Sequence, residues 1–539
     1  MSGDAVVPTP HNEPIHDYAP GSVERHALTE RLATMAKERI EAPMVIRGER
    51  VSGDSTFTVA APHRHSHVLA DVHAAQPQHV SAAIDAALAA APQWAATPFA
   101  DRAAIFLRAA ELLAGPWRDT INASTMLGQS KSVYQAEIDA ACELIDFWRY
   151  NVAFAERIHA DQPLSASGSW NRMDYRPLEG FVLALTPFNF TSIAANLPTA
   201  PALMGNVVVW KPSEKQAFSA HFTMELLEAA GLPPGVINLL HGDGAMTAEV
   251  CLERREFAGL HFTGSTTVFK SLWRRAGERI DTYHSYPRLV GETGGKDFVV
   301  AHPSAPVDPL VVALARGAFE YQGQKCSAAS RAYIPRSLWP QVRDGLADLT
   351  AEIPMGDVSD LSVFMGAVID ERAFRRLTEA VDGARHAGVE VLVGGDADDT
   401  EGWFVEPTVL VTDDPMSDTM TRELFGPVLT VHVYDDARWS ETLDLVDRTG
   451  PYALTGAIFA DDRLAVGQAY AALRQAAGNF YVNDKPTGAV VGQQPFGGAR
   501  HSGTNDKAGS LLNLLRWTSP RTIKETFTPP TGWQYPHMG

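Results

Sequence analysis

The chain has 539 residues and a formal net charge of −19 at pH 7, with 45% hydrophobic and 20% charged residues. That length exceeds what one compact core holds, so two or three domains are expected, and the acidic excess argues against nucleic acid or an anionic membrane surface as the main partner. Its 3 cysteines, Cys142, Cys251 and Cys326, are too few and too scattered for a disulfide framework or a cysteine-based zinc site, which fits a reducing compartment and no metal.

In chain order, residues 1 to about 20 are rich in Pro, His and Asn and read as an extended arm. "SVERHALTERLATMAKERI" (22–40) follows as a surface helix. The N-terminal stretch has neither a basic segment followed by an apolar core nor an Arg-rich, acid-poor character, so the cytoplasm is the expected compartment. From 79 to about 158 an Ala-rich sequence keeps helical spacing, as in "DRAAIFLRAAELLAG" and "EIDAACELIDFWRYN". Residues 161–177 are polar and irregular, a linker or protruding hairpin. The most apolar stretch, Phe181 to Trp210, is interrupted by Pro187, Asn189, Asn196, Pro198 and Pro201 and cannot be a membrane span.

Beyond it the pattern alternates. "GFVLALTP", "NVVVWKPS", "VINLLHGD" and "GLHFTGS" are short β-rich runs separated by helical stretches such as "AHFTMELLEAAG". From 292 to about 490 a second series follows: "KDFVVAHP", a helix over 309–323, "RAYIPR", "VEVLVGG", "PVLTVHVY" and "TGAIFAD". Such alternation predicts two α/β domains with parallel sheets and crossover helices. A tail containing "LRWTSPRTIKETF" (515–527) closes the chain.

Several stretches could carry chemistry. In "EYQGQKCSAASR" (320–331), Cys326 sits among small and polar residues, a setting for a thiol that a reactant must reach rather than for a buried filler. "VGETGGKDF" sets Glu292 beside Gly294 and Gly295, a carboxylate that could activate water at an acylated thiol. "LTPFNFTS" puts Asn189 just past a strand, where an amide can donate to a developing oxyanion. "HFTGSTTVF" places Gly264 and Ser265 at a strand-to-helix turn suited to phosphate. "HGDGAMT" (241–247) is a truncated G-x-G-x-x-G with Thr247 in the third place. "VVVWKPSE" ends a strand with Lys211 and Glu214, and an acid there can hold ribose hydroxyls. "ELFGPV" adds Glu423 and Phe425. Taken singly, each is more often an ordinary turn or core residue.

Together and in this order, "TPFNF", "KPSE", "FTGST", "ETGGK", "GQKCSA", "ELFGP" and "PFGG" (495–498) resemble the aldehyde dehydrogenase superfamily over nearly the whole chain. "VNDKPTGAVVGQQPFGGARHSGTNDKAG", "LRWTSPRTIKET", "TPFNFTSIAANLP" and "ELIDFWRYN" are similar to its 1-pyrroline-5-carboxylate dehydrogenase branch. The resemblance implies an α/β fold with a Rossmann-type NAD domain, an α/β catalytic domain and a small oligomerisation hairpin and tail. The corresponding domain expectation is arm and helix over 1–45, NAD binding over 46–160 and 178–291, oligomerisation over 161–177 and 505–539, and catalysis over 292–504.

The same resemblance implies Cys326 as nucleophile, Glu292 as the base for hydrolysis and Asn189, with the Cys326 N–H, as oxyanion donors. It puts Thr186, Lys211, Glu214, Gly264, Ser265 and Thr266 at the NAD adenosine and pyrophosphate, and Glu423 and Phe425 at the nicotinamide ribose. Glu214 would repel a 2′-phosphate, which favours NAD over NADP. For the substrate, L-glutamate γ-semialdehyde in equilibrium with 1-pyrroline-5-carboxylate, Ser327 with the backbone of Gly488 and Ala489 would hold the α-carboxylate. Phe190 and Phe496 would box the aliphatic stem, and Glu143 would face the ammonium. Family members often carry Ser where this chain has Ala489, so a hydroxyl contact is absent while the backbone donor remains. Expected partners are a second copy of the chain, in a dimer or larger assembly, and a proline dehydrogenase that supplies the substrate. The rival readings are another semialdehyde dehydrogenase, such as one for succinate semialdehyde, and a non-catalytic protein on this scaffold.

Overall fold

In the computed structural model residues 6–539 are described, so the first five residues of the expected arm lie outside it. The first sheet is built on five parallel strands: β1 (Phe181–Thr186), β2 (Val207–Pro212), β3 (Ile237–Leu239), β4 (Phe257–Thr263) and β5 (Arg288–Glu292). Strands β1 and β2 are buried along their whole length. Their near-continuous apolar sequences fit that, because a parallel sheet is covered by helices on both faces. The spatial order is β5-β4-β1-β2-β3, extended at the β3 edge by the antiparallel strands Met44–Ile46 and Glu49–Val51. The chain thus runs outward from β1 to β3, then crosses back to lay β4 on the other side of β1. That reversal opens a crevice at the carboxyl ends of β1 and β4, where ligands bind in doubly wound sheets.

The second sheet contains β6 (Asp297–Ala301), β7 (Ala329–Pro335), β8 (Glu390–Val393), β9 (Thr408–Val411), β10 (Val428–Tyr434), β11 (Thr455–Phe459) and β12 (Asn479–Val482), in the order β8-β9-β10-β7-β6-β11-β12. Only the β8–β9 pairing is antiparallel. The helices expected from the Ala-rich sequence, Pro77–Ala96, Phe99–Ala114, Arg118–Gln129 and Glu143–Ala160, share one apolar core with the first sheet.

Four sequence expectations are corrected. The helix expected over 22–40 spans Val23–Met35 and is not wholly a surface element. Its Leu28, Leu32 and Met35, spaced four and three apart, form a buried stripe, and Ile40–Ala42 joins a strand pairing with Arg64–His73 instead. The irregular 161–177 segment forms no hairpin with itself: Ser169–Arg176 pairs antiparallel with the tail strand Ser519–Thr526. The "HGDGAMT" stretch is no phosphate loop of its own, because Asp243 caps the helix Gly244–Glu253 and puts a carboxylate where an anion would sit. The helix expected over 309–323 ends at Phe319. After it, Tyr321, Gln322 and Gly323 adopt φ of 51°, 55° and 63°, a left-handed turn that costs non-glycine residues about 1–2 kcal/mol each. Buried hydrogen bonds offset that cost: the Gln322 amide donates to the carbonyls of Ser130 (2.9 Å) and Ala367 (2.7 Å) and accepts from Gly366 N–H (3.0 Å). At Gly323 a Cβ would lie 2.2 Å from the Gly426 carbonyl, so no other residue fits.

Candidate active site

The tight turn delivers Cys326 to the floor of a cavity between the two sheets. Glu292, Ser327, Gly488, Ala489, Phe190, Phe496 and Glu143 line the same cavity. Residues as far apart in sequence as Glu143 and Phe496 thus meet at one spot. Cys326 is only half-buried, whereas Cys142 and Cys251 are buried. Burial, with Glu292, Asp297 and Glu423 nearby, holds the Cys326 thiol well above its ordinary range, and its own backbone N–H works in the opposite direction.

Glu292 ends β5, and its carboxylate lies against the "PFGG" loop: a Cβ on Gly497 would come 3.2 Å from its Oε1. Burial, opposed by Lys507 and reinforced by Asp506, pushes its carboxyl up to about 8, the range of a general base at work near neutrality. Asn189 follows β1 and is buried, with Nδ2 donating to the Gln324 carbonyl at 3.0 Å. That bond uses one of two amide hydrogens and ties Asn189 to the turn carrying the nucleophile.

At the other end of the cavity the Ser327 hydroxyl pairs with that of Thr487 at 2.8 Å, out of contact with bulk water. The backbone of Gly488 and Ala489 adjoins this pair. Behind it runs an ion ladder: Lys131 bonds Asp139 (2.7 Å), Lys325 lies 3.5 Å from Asp139 and 3.6 Å from Glu320, and Lys485 bonds Glu320 (2.7 Å). Arg316, 3.2 Å from Glu320, and Glu143, which acts on Lys131 and Lys325, complete this charged network. Lys131 also sits over the Phe190 ring, 4.2 Å from its centroid, which fixes that ring as an apolar wall. Glu143 accepts a hydrogen bond from Ser192. Burial and the neighbouring Asp139 push its carboxyl up to about 8.

Thr487, Asp139 and Lys325 line the cavity without having been assigned a role from sequence. Thr487 stands beside Gly488 in the quoted loop, and Lys325 directly precedes the nucleophile, so adjacency was the available signal. Asp139 had none, because Glu137–Cys142 is a π-helical turn that rotates it out of ordinary helical phase.

The crevice of the first sheet holds the residues expected at a dinucleotide. Thr186 ends β1, and its hydroxyl accepts from Trp210 Nε1 at 3.0 Å, leaving its hydrogen free. Lys211, near the end of β2, sets its ammonium 3.2 Å from where a Gly244 Cβ would stand, so the glycine gives it room; burial lowers its affinity for the proton, and Glu214 and Asp243 restore part of it. Glu214 is exposed at the crevice rim. Ser265 caps the helix Thr266–Glu278, whose N-terminal amides open toward the crevice. Gly264 differs from expectation: its N–H donates to the Glu292 carbonyl (3.1 Å), so it offers close approach, not a phosphate donor. Thr266 is likewise engaged, its hydroxyl bonding Thr293 and the His501 carbonyl, both at 3.1 Å. Glu423 accepts from Gly295 N–H (2.9 Å), and a Cβ on Gly294 would lie 2.2 Å from its Oε2. Phe425, at φ 55°, packs edge-to-face on Phe188. A helix N-terminus whose first amides remain open beside the Ser265 cap, a lysine next to Gly244 and an acid at each end fit an extended diphosphate-linked dinucleotide. Among the described residues no cluster of His, Cys, Asp or Glu could hold a metal ion, and no helix is long and apolar enough to cross a membrane.

Comparison with known proteins gives the same picture. The pattern defining the aldehyde dehydrogenase family matches residues 50–523. The chain is 61% identical, with a TM-score of 0.97 and full coverage of both chains, to a crystal structure of the Delta-pyrroline-5-carboxylate dehydrogenase from Mycobacterium tuberculosis bound with NAD. It is 49% identical over 538 residues to the mitochondrial Delta-1-pyrroline-5-carboxylate dehydrogenase of Dictyostelium discoideum, covering 99% of this chain and 96% of that one. To the mitochondrial Homo sapiens protein of that name it is 48% identical over 530 residues, covering 98% and 94%. By its sequence, its sheets and its cavity, the chain belongs to the aldehyde dehydrogenase family.

Proposed function

We infer that the protein oxidises L-glutamate γ-semialdehyde, the open form of 1-pyrroline-5-carboxylate, to L-glutamate with NAD, the second step of proline degradation. One observation carries the reading beyond its relatives' names. A single cavity joins the thiol of Cys326 and the carboxylate of Glu292 at one end to the Ser327–Thr487 pair, Gly488 and Ala489 at the other. A reactive end and an anion-seeking end, with Phe190 and Phe496 between them, suit an aldehyde that bears a carboxylate at its far end.

In this reading the Cys326 thiol releases its proton to water and its sulfur bonds to the aldehyde carbon. The carbonyl oxygen becomes an oxyanion that accepts from the free Asn189 amide hydrogen and the Cys326 N–H. Held in the crevice of the first sheet, NAD would supply the oxidant, an acceptor for the hydride that leaves this carbon. The acyl group stays on Cys326 as a thioester. Glu292 then removes a proton from water as its oxygen attacks the acyl carbon, and the sulfur departs as the product carboxylate forms. Lys211, Glu214 and the amides at Ser265 would hold the adenosine and pyrophosphate, and Glu423 with Phe425 the nicotinamide ribose; Thr186, Gly264 and Thr266 shape that crevice. Glu143, at the flank of the stem, would meet the ammonium.

The domain division given by the sequence is proposed with this function, as are a homodimer or larger assembly joined through the Ser169–Arg176 and Ser519–Thr526 sheet and supply by a proline dehydrogenase. The cytoplasm is proposed as compartment on cysteine usage, although the Dictyostelium and human relatives are mitochondrial by name. The test is the initial rate of NADH formation with pyrroline-5-carboxylate, succinate semialdehyde and propanal. A kcat/KM highest by at least tenfold for pyrroline-5-carboxylate is expected; a preference for succinate semialdehyde would move the assignment to the rival branch.

A further inference from the structure

The N-terminal arm is not a passive extension. From residue 7 to residue 18 it runs along one side of the helices that wall the cavity. Val7 N–H donates to Glu156 (2.8 Å), Glu13 N–H to Asp146 (2.7 Å) and His16 N–H to Glu137 (2.9 Å). Glu13 also pairs with Arg118 (2.6 Å) and Arg149 (2.7 Å).

At its centre Asn12 reaches across to the loop that begins with Gly488. Its Nδ2 donates to the Val491 carbonyl and to Asp146 Oδ2, both at 2.8 Å. Its Oδ1 accepts from Gln493 Nε2 at 2.9 Å and from the Tyr150 hydroxyl at 3.3 Å. One amide thus bridges the arm, the helix Glu143–Ala160 and the anchor loop. The loop is already pressed onto that helix: a Cβ on Gly492 would lie 2.2 Å from the Tyr150 ring, and Val491 is buried. Within the loop, Val490 N–H bonds the Gln494 side chain (2.9 Å), and the amides of Gln493 and Gln494 both donate to the Val490 carbonyl (3.0 Å). A pull on Val491 and Gln493 is therefore transmitted to Gly488 and Ala489 a few bonds away.

We propose that Asn12 is a specificity-determining positioning residue: it straps the 488–494 loop to the cavity wall in the one placement where the Gly488 and Ala489 amides meet a substrate carboxylate. Asn12 touches no reacting atom, and its effect passes through the loop. The proposal rests on reading that end of the cavity as the carboxylate anchor. It predicts a discrimination defect without a chemical defect. Releasing the loop costs the ordering of the anchor, while Cys326, Glu292 and Asn189 lie on other elements.

The experiment measures steady-state kinetics of wild type, Asn12→Ala and Gln493→Ala with glutamate semialdehyde and with propanal, alongside thermal unfolding. For Asn12→Ala the KM for glutamate semialdehyde should rise on the order of tenfold, as expected when hydrogen bonds to the loop are lost, with kcat and the propanal parameters changed less than about twofold. Gln493→Ala, which removes one of the contacts, should move the same KM in the same direction by less. Wild-type KM in a folded Asn12→Ala protein overturns the proposal, and so does an equal loss on both substrates, which marks a merely structural role. Should Asn12→Ala not fold, Gln493→Ala decides alone, unchanged selectivity overturning the strap. A wild-type enzyme without preference for the carboxylated aldehyde overturns both this proposal and the anchor reading. A wild type with that preference beside variants that keep it overturns the strap only.

Discussion

Ser327→Ala isolates the substrate's far end. The Ser327 and Thr487 hydroxyls are 2.8 Å apart and dry, so one hydrogen of the pair is spent between them and one remains to point into the cavity. If Thr487 donates to Ser327, the Ser327 hydrogen goes to the substrate carboxylate, a charge-assisted bond contributing about 1.5–3 kcal/mol. Its loss should lower kcat/KM for glutamate semialdehyde roughly 10- to 150-fold. Thr487→Val removes only the neutral bond that orients Ser327, about 0.5–1.5 kcal/mol, and should lower the same ratio by roughly 2- to 13-fold. Propanal, with no carboxylate, should lose little in either variant. NADH-coupled initial rates on both substrates measure this ordering. Equal losses on propanal would mean that Ser327 supports its neighbour Cys326, and a larger effect at Thr487 would reverse the direction of donation.

Glu292→Gln should give a stoichiometric burst of NADH followed by a steady rate slower by roughly 10²–10⁴-fold; disappearance of the burst in a variant that still binds NAD would place Glu292 in an earlier step. The same variant tests the electrostatics. A carboxyl raised from 4.5 to about 8 in the folded state contributes stability that is full below pH 4.5 and is lost as pH rises through 8. Wild type should therefore lose stability relative to Glu292→Gln between pH 5 and pH 9, read as diverging melting temperatures; parallel curves would show that the carboxyl titrates normally. Cys326→Ala should abolish aldehyde oxidation while NAD binding measured by calorimetry persists, and Cys142→Ala and Cys251→Ala should keep activity near wild type; turnover without the Cys326 thiol would refute the covalent route.

The sequence made the two parallel sheets legible because strands buried on both faces read as uninterrupted apolar runs, as in "NVVVWKP". It also made the ends of those strands legible, where "FTGST", "ETGGK" and "KPSE" stop the run with residues that serve a turn. What it hid depends on contacts made across long separations. The left-handed turn at Tyr321 and Gln322 is imposed by Ser130, Gly366 and Ala367, so helical spacing continues to 323 while the helix stops at Phe319. The π turn at Glu137–Cys142 shifts Asp139 out of helical phase by one residue, which no periodicity reports. Gly264 looked like a phosphate donor from its place in a strand-to-helix turn. Only the adjacency of β4 and β5 shows that its N–H is spent on Glu292. The arm's composition suggested an extended segment, but nothing in "PHNEP" announces that Asn12 meets a loop 479 residues away.

The covalent route through Cys326 is the centre of the account, and one measurement reaches it directly. Glu292→Gln mixed with NAD and glutamate semialdehyde, acid-quenched within the burst and digested, should carry one γ-glutamyl group on the peptide containing Cys326, in amount equal to the NADH formed. NADH formed in that burst with the Cys326 peptide unmodified would contradict it.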